Sequence, residues 1–327
     1  MKHSDTAVPT SRYASQPAGN LTPDSKLARL RLWFYQRNQS GRLITLLIFL
    51  PPALMLFTLF VVIPLFEASV FSVFKWDGIG ELNQYVGTQN YEKVLGHRIF
   101  HDALWNTLKI VIVSLLVQIP LALLLALAIY KRSMANTVFR LIFFMPYILA
   151  EVVAGLIWKF IYDGQYGLVN SITEAFGLDN YFVLGDKDWA FAAILLVIVW
   201  KYFGFHMMIF IAALQGISKD LLEAAKIDGA NAVQTTWHIK IPLIRHAIIL
   251  SLFFSILGAL QLFDLIIPMT NGGPSHSSHS IVSYLYTFGI SRMRIGFGSA
   301  IGVILFIGCV FFAFTYQNAL MKDKDKL

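Results

Sequence analysis

Six stretches of this chain are each long and apolar enough to cross a lipid bilayer, and that limits its fold more than any other feature. A helix rises about 1.5 Å per residue and the hydrocarbon core is about 30 Å thick, so roughly 20 consecutive apolar residues span it. Residues 43–66, 108–130, 141–162, 189–214, 247–268 and 296–316 meet that length. Of the whole chain 57% is hydrophobic and only 14% charged, against about 25% charged in a soluble domain. The expected fold is an all-α polytopic membrane protein with six transmembrane helices. The first stretch starts about forty residues in and is too long for the apolar core of a signal peptide, so it reads as a retained span. Pro51-Pro52, Pro120 and Pro146 fall inside spans, where a missing N–H and a clash with the preceding turn predict kinks.

Lysine and arginine gather on the cytoplasmic side of membrane proteins. Lys26, Arg29, Arg31, Arg37 and Arg42 precede the first span, and Lys131, Arg132 and Arg140 lie between the second and third. Lys219, Lys226, Lys240 and Arg245 lie between the fourth and fifth, and Lys322, Lys324 and Lys326 end the chain. All fall on one side if both termini are cytoplasmic, with Arg292 and Arg294 as exceptions. The formal charge of +7 follows this membrane pattern, so nucleic acid is not an expected partner. Residues 1–42 are polar and lack an apolar period, which predicts a disordered cytoplasmic tail. Residues 43–320 form the membrane domain and 321–327 a short cytoplasmic tail. Residues 67–107, residues 163–188 and the stretch TNGGPSHSSHS are loops on the outer side, too short to be separate domains.

The one cysteine, Cys309, stands in an apolar run and cannot form an intrachain disulfide. No Cys/His cluster, H-E-x-x-H or G-x-x-x-x-G-K-[ST] motif occurs, so no catalytic, cofactor or metal site is expected, and any ATP used would be bound by another chain. The polar break at residues 215–246 is then the informative one. In GISKDLLEAAKIDGANAVQTTWHIKIPL, Ser218 is a good N-cap for a helix starting at Lys219, with Asp220 at its positive end and Gly229 suited to the left-handed turn that ends it. A second short helix is expected over residues 231–239 before Pro242 stops it. Asp-Gly alone reads equally well as the end of an ordinary connecting helix.

The wider pattern resembles the inner-membrane permease subunits of binding-protein-dependent ABC importers, in the sugar-permease branch that includes the maltose type. The cytoplasmic loop of that family runs E-A-A, D-G-A, an aromatic, then I-x-L-P, and here Glu223-Ala224-Ala225, Asp228-Gly229-Ala230, Trp237 and Ile239-Lys240-Ile241-Pro242 fill it. The further proline common after that segment is His246 here. The likeness continues in FDLIIPMTNGGP, in YVGTQNYEKVL followed by NTL, and in FRLIFFMPYILAEVVAGLIWKFIYDGQYGLVN. It implies a type I importer permease fold in a bacterial inner membrane, partnered by a second, non-identical permease subunit, by two ATPase subunits holding ATP and Mg, and by an extracytoplasmic solute-binding protein. It also implies that residues 223–229 form a coupling helix seated in a cleft of the ATPase, with Glu223, Ala224, Ala225, Asp228, Gly229 and Pro242 as the coupling positions. The chain would then form half of a carbohydrate pathway without being an enzyme itself.

Polar groups at membrane depth face a protein interior or a wet cavity. Lys201, Tyr202 and Phe205 in the fourth span, with Ser255 and Gln261 in the fifth, are the candidate substrate-pathway residues, the aromatics suiting a sugar ring and the polar groups its hydroxyls. Lys201 and Glu151 read equally as a structural ion pair, Lys159 and Asp264 as groups reaching the interface, and Ser251 and Ser255 as helix-packing residues. An importer of glycerol phosphate is an alternative. An ion-coupled secondary transporter is a further one, against which stand the six spans and the lack of an internal repeat.

Overall fold

The structure, a computed structural model, describes residues 45–177 and 179–321. The tail expected over residues 1–42 and residues 322–327 lie outside them. The chain divides at Leu65 into two units, of which the second is Phe66–Leu327. No β-strand occurs among the described residues, only an isolated bridge between Phe74 and Tyr85.

The helices are α1 (Thr45–Phe71), α2 (Gln89–Leu95), α3 (Arg98–Ile129), α4 (Met134–Ile148), α5 (Glu151–Ile161), α6 (Leu168–Ala175), α7 (Lys187–Gln215), α8 (Lys219–Ile227), α9 (Ala232–Leu243), α10 (Arg245–Gln261), α11 (Ile266–Thr270), α12 (Ile281–Ile290) and α13 (Ile295–Ala319). Helices α1, α3, α7 and α13 are each long and apolar enough to cross a membrane. The bent pairs α4–α5 and α9–α10 bring the number to six if each is one span. Helix α3 begins ten residues before the expected span, taking residues 98–107 out of the expected loop.

Three of the prolines inside helices share one arrangement. Each follows an isoleucine, and each Ile-Pro pair closes a wide π turn: Ile63 N–H reaches Thr58 O, Ile119 N–H reaches Ser114 O, and Ile241 N–H reaches Thr236 O. A proline ring clashes with the carbonyl four residues earlier and offers that carbonyl no donor. The wider turn removes the conflict by shifting the bonding pattern one residue back. Pro242 therefore does not stop the second coupling-loop helix as expected. Helix α9 runs on to Leu243, and the chain bends by 67° at the buried Ile244.

The third span is broken outright, where the sequence led us to expect a single span kinked at Pro146. Leu149 and Ala150 are extended, and α4 and α5 meet at 97°. In hydrocarbon the last carbonyls of a helix have no water to turn to. Lys201 of α7 supplies the donor: its Nζ donates to Leu149 O at 2.6 Å and to Pro146 O at 3.3 Å, and the side chain is only 1% exposed. Its cationic head also suits the negative end of α4, just as Glu151 suits the positive start of α5. The fifth span also ends earlier than expected, at Gln261, because Leu262 turns extended and its carbonyl accepts from Ser280 Oγ at 2.6 Å.

Helix α7 is the most buried of the four unbroken spans. Asp186 caps it, accepting from Asp188 N and Trp189 N. The Tyr181 hydroxyl and the Asp188 N–H hold that carboxyl below its usual range, and the same contact pushes the Tyr181 phenol up to about 12. One half of α7 packs Ile194, Val197 and Ile198 against Leu262, Leu265 and Met269, and the other packs Met207, Phe210 and Leu214 against Ala122, Ala126 and Ile244. Association of apolar helices in lipid depends on close packing. At Gly204 a Cβ would lie 2.1 Å from Phe143 O, so α4 and α7 touch backbone to backbone.

The stretch TNGGPSHSSHS is no free loop. Ser278, His279 and Ser280 are fully buried. Asn106 Nδ2 donates to the carbonyls of Ser277 and His279, and Ile281 N–H donates to Thr107 Oγ1. The segment is thereby tied to α3 on one side and to the end of α10 on the other.

Replacing Lys201 by methionine keeps the volume but orphans two carbonyls, at a cost of about 1–3 kcal/mol for each buried group left without a partner. The expected result is a clearly lower thermal midpoint of the detergent-purified protein, and an unchanged midpoint would show that the α4 terminus has another donor.

Candidate functional site

A cavity of about 400 Å³ lies at the level of the α4–α5 break, lined from α3, α4, α5, α7 and α10. Helix α3 brings Ser114 and Gln118, which share one face because they bracket the π turn. Tyr147 comes from α4, Glu151 from the first turn of α5, Tyr202, Phe205 and His206 from α7, and Ser255 and Gln261 from α10, with Asp264 just beyond. The structure thus brings Tyr202, Phe205, Ser255 and Gln261 to one wall-lined space. Lys201 is not on the lining, since it points behind the wall to the end of α4.

One wall is aromatic. Tyr147 and Phe205 stack with centroids 4.8 Å apart and planes 20° from parallel, and Phe254 meets Phe205 edge-on at 6.1 Å. The facing groups are polar. Tyr202 donates its hydroxyl to Glu151 Oε1 at 2.7 Å, and His206 Nδ1 pairs with Ser251 Oγ at 2.6 Å, linking α7 to α10. Gln118 and Ser255 are 2% and 6% exposed, yet Gln118 Oε1 and Ser255 Oγ have no hydrogen-bond partner. Buried polar atoms are almost always paired, so the two orphans mark a polar side of the lining. Neither Gln118 nor Ser114 was among the sequence-derived candidates. The signal was there: two polar residues four apart in the apolar run IVIVSLLVQIPLALLL, chargeless and therefore easily passed over.

The second site is α8, joined to α7 by three residues, Gly216, Ile217 and Ser218. Ser218 Oγ accepts from Asp220 N–H at 3.2 Å, as a cap should. The far end closes as a Schellman turn: Gly229 N–H donates to Lys226 O and Ala230 N–H to Ala225 O, with Gly229 at φ +84°. Asn231 then caps α9 in a reciprocal capping box with Gln234. Of the coupling positions, Glu223, Ala224, Asp228, Gly229 and Pro242 are exposed, and Ala225 is buried. Around them Ile227, Val233 and Trp237 are exposed by 85%, 65% and 64%. Large apolar side chains left bare on a short, firmly capped helix pair make a surface suited to a partner.

A polytopic bundle with a central polar cavity and an exposed helical elbow defines a membrane transport component. Residues 118–325 match the family described as binding-protein-dependent transport system inner membrane component, and the chain belongs to it. It is therefore an inner-membrane permease subunit of the ABC importer type. The diacetylchitobiose uptake system permease protein NgcF of Streptomyces coelicolor is 32% identical to it over 311 residues, 91% of this chain and 86% of that protein. The sulfoquinovosyl glycerol transport system permease protein SmoG of Agrobacterium fabrum is 32% identical over 287 residues, 85% of this chain and 90% of that protein. In fold, the chain is similar to a chain of a bacterial alginate ABC transporter crystallised with an alginate pentasaccharide-bound periplasmic protein. The TM-score is 0.76 at 23% identity, over 86% of this chain and 95% of that one.

Replacing Gln118 by leucine removes a buried orphan and should leave the thermal midpoint unchanged or raise it. Solute uptake should nevertheless fall severalfold. Full uptake at an unchanged midpoint would show that Gln118 meets no solute.

Proposed function

We propose that the chain is one of two permease subunits of an ATP-driven carbohydrate importer. It forms half of the translocation pathway and receives force from a separate ATPase through α8. The observation that carries this is the cavity: an aromatic wall facing orphaned hydrogen-bonding groups suits a sugar ring, with an apolar face and a rim of hydroxyls. Its volume sits at the low end of the roughly 300–1,000 Å³ of small-molecule sites, enough for one or two rings. Diacetylchitobiose, the solute in the name of the first of the curated relatives, supports a sugar solute here too.

In this reading both termini and α8 face the cytoplasm, which the lysine and arginine distribution supports. The partners are a second permease subunit, two ATPase subunits that hold ATP and Mg, and an extracytoplasmic solute-binding protein. When the nucleotide-binding dimer closes, α8 moves with it, and the three-residue link to α7 leaves little slack before the motion reaches Tyr202 and Phe205.

Two experiments test this. The assembled complex with its binding protein should show ATP hydrolysis stimulated by the transported sugar, and no stimulation by any sugar would count against a carbohydrate solute. Ala224 is exposed and Gly229 has no neighbour within 4 Å of an added Cβ. Ala224→Asp should therefore leave membrane insertion and the thermal midpoint intact while lowering uptake at least tenfold. Normal uptake and normal co-purification of the ATPase in that variant would remove α8 from the coupling role.

A further inference from the structure

We propose that the cavity admits sugars that are uncharged or carry an amino group and rejects those bearing a carboxylate, phosphate or sulfonate. This rests on the cavity being the sugar pathway. Among the described residues its lining holds two carboxyl groups, Glu151 and Asp264, and no lysine or arginine. The nearest lysine, Lys201, offsets part of Glu151's charge from behind the wall, but its Nζ is occupied by the carbonyls of Leu149 and Pro146 and offers an incoming anion nothing to touch. His206 is a ring 2% exposed with Nδ1 already paired to Ser251.

The Tyr202 hydroxyl is committed to Glu151 Oε1, so it is not free to donate to a solute. Besides the amides of Gln118 and Gln261 and the Ser255 hydroxyl, which both donate and accept, the lining presents the carboxyl oxygens of Glu151 and Asp264, which only accept when ionised. A sugar hydroxyl or an ammonium group brings the donors those oxygens need. An anionic substituent brings only acceptors, offers those carboxyl oxygens no proton and places like charges together, and selectivity arises from such mismatches as much as from attraction.

The test uses the assembled permease and ATPase complex without the solute-binding protein, so that the cavity alone discriminates. The probes are three β-1,4-linked disaccharides of matched size: cellobiose, the chitosan dimer with two amino groups, and cellobiuronic acid. Binding is read by equilibrium dialysis. The chitosan dimer should bind at least as tightly as cellobiose, and both at least tenfold more tightly than cellobiuronic acid. The double variant Glu151→Gln with Asp264→Asn should shrink that gap to about twofold. Asp264 is exposed, so Asp264→Asn alone should narrow the gap in the same direction if the double variant fails to fold. Cellobiuronic acid binding within threefold of cellobiose, or a gap that neither variant narrows, overturns the proposal. A complex that binds none of the three overturns the sugar-pathway reading, and this proposal with it.

Discussion

Two main-chain carbonyls at the end of α4 need donors at a depth where water is scarce, and a single lysine side chain provides them. Without the Lys201 bonds to Pro146 and Leu149, a 97° break inside the membrane domain would leave backbone groups stranded in a medium that tolerates almost none. With them, α4 is held to α7, and Gly204, one turn on, lets the two backbones meet. The break also decides where α5 begins. Glu151 is set beside Tyr202, the neighbour of the capping lysine, and so one wall of the cavity is a by-product of how the span is broken.

Helix α7 joins the two sites. It carries the polar layer of Lys201, Tyr202 and His206 between two apolar cores, and it ends three residues before α8. It runs unbroken from Lys187 to Gln215, packed on both sides of its polar layer. The caps at both ends of α8, Ser218 at one and the Gly229 turn at the other, keep the elbow from fraying into a linker.

Much of this was legible before any coordinates, and the failures have physical reasons. Spans show up in sequence because crossing a bilayer demands length and apolarity together. The caps at Ser218 and Gly229 show up because few residue types suit those positions. The break at Leu149–Ala150 does not, since hydropathy sums over a window and is blind to direction, and LIFFMPYILAEVV contains no residue that requires a turn there. Pro146 and Pro120 look alike in sequence, yet one lies near a helix end and the other in a continuous helix, because a π turn precedes only the second. Lys201 was conspicuous for its charge, but what a charge faces depends on a helix fifty residues away. Gln118 obeyed the same rule of polar groups at depth and was missed for want of a charge.

The Ile-Pro π turns have a consequence for how such a chain tolerates change. A π turn is an α-helix holding one surplus residue, and in an ordinary helix one added residue rotates everything beyond it by about 100°. In α3 that rotation is already built in between Ser114 and Gln118, so the residues from Pro120 to Ile129 meet α7 in the phase that a helix one residue shorter would give them. Single-residue deletions ruin most membrane helices by turning their lipid face inward. At these three turns a deletion that takes out the proline itself would relax the helix to α geometry and leave the downstream faces where they are, which makes the turns natural seams at which the length of a span is free to drift.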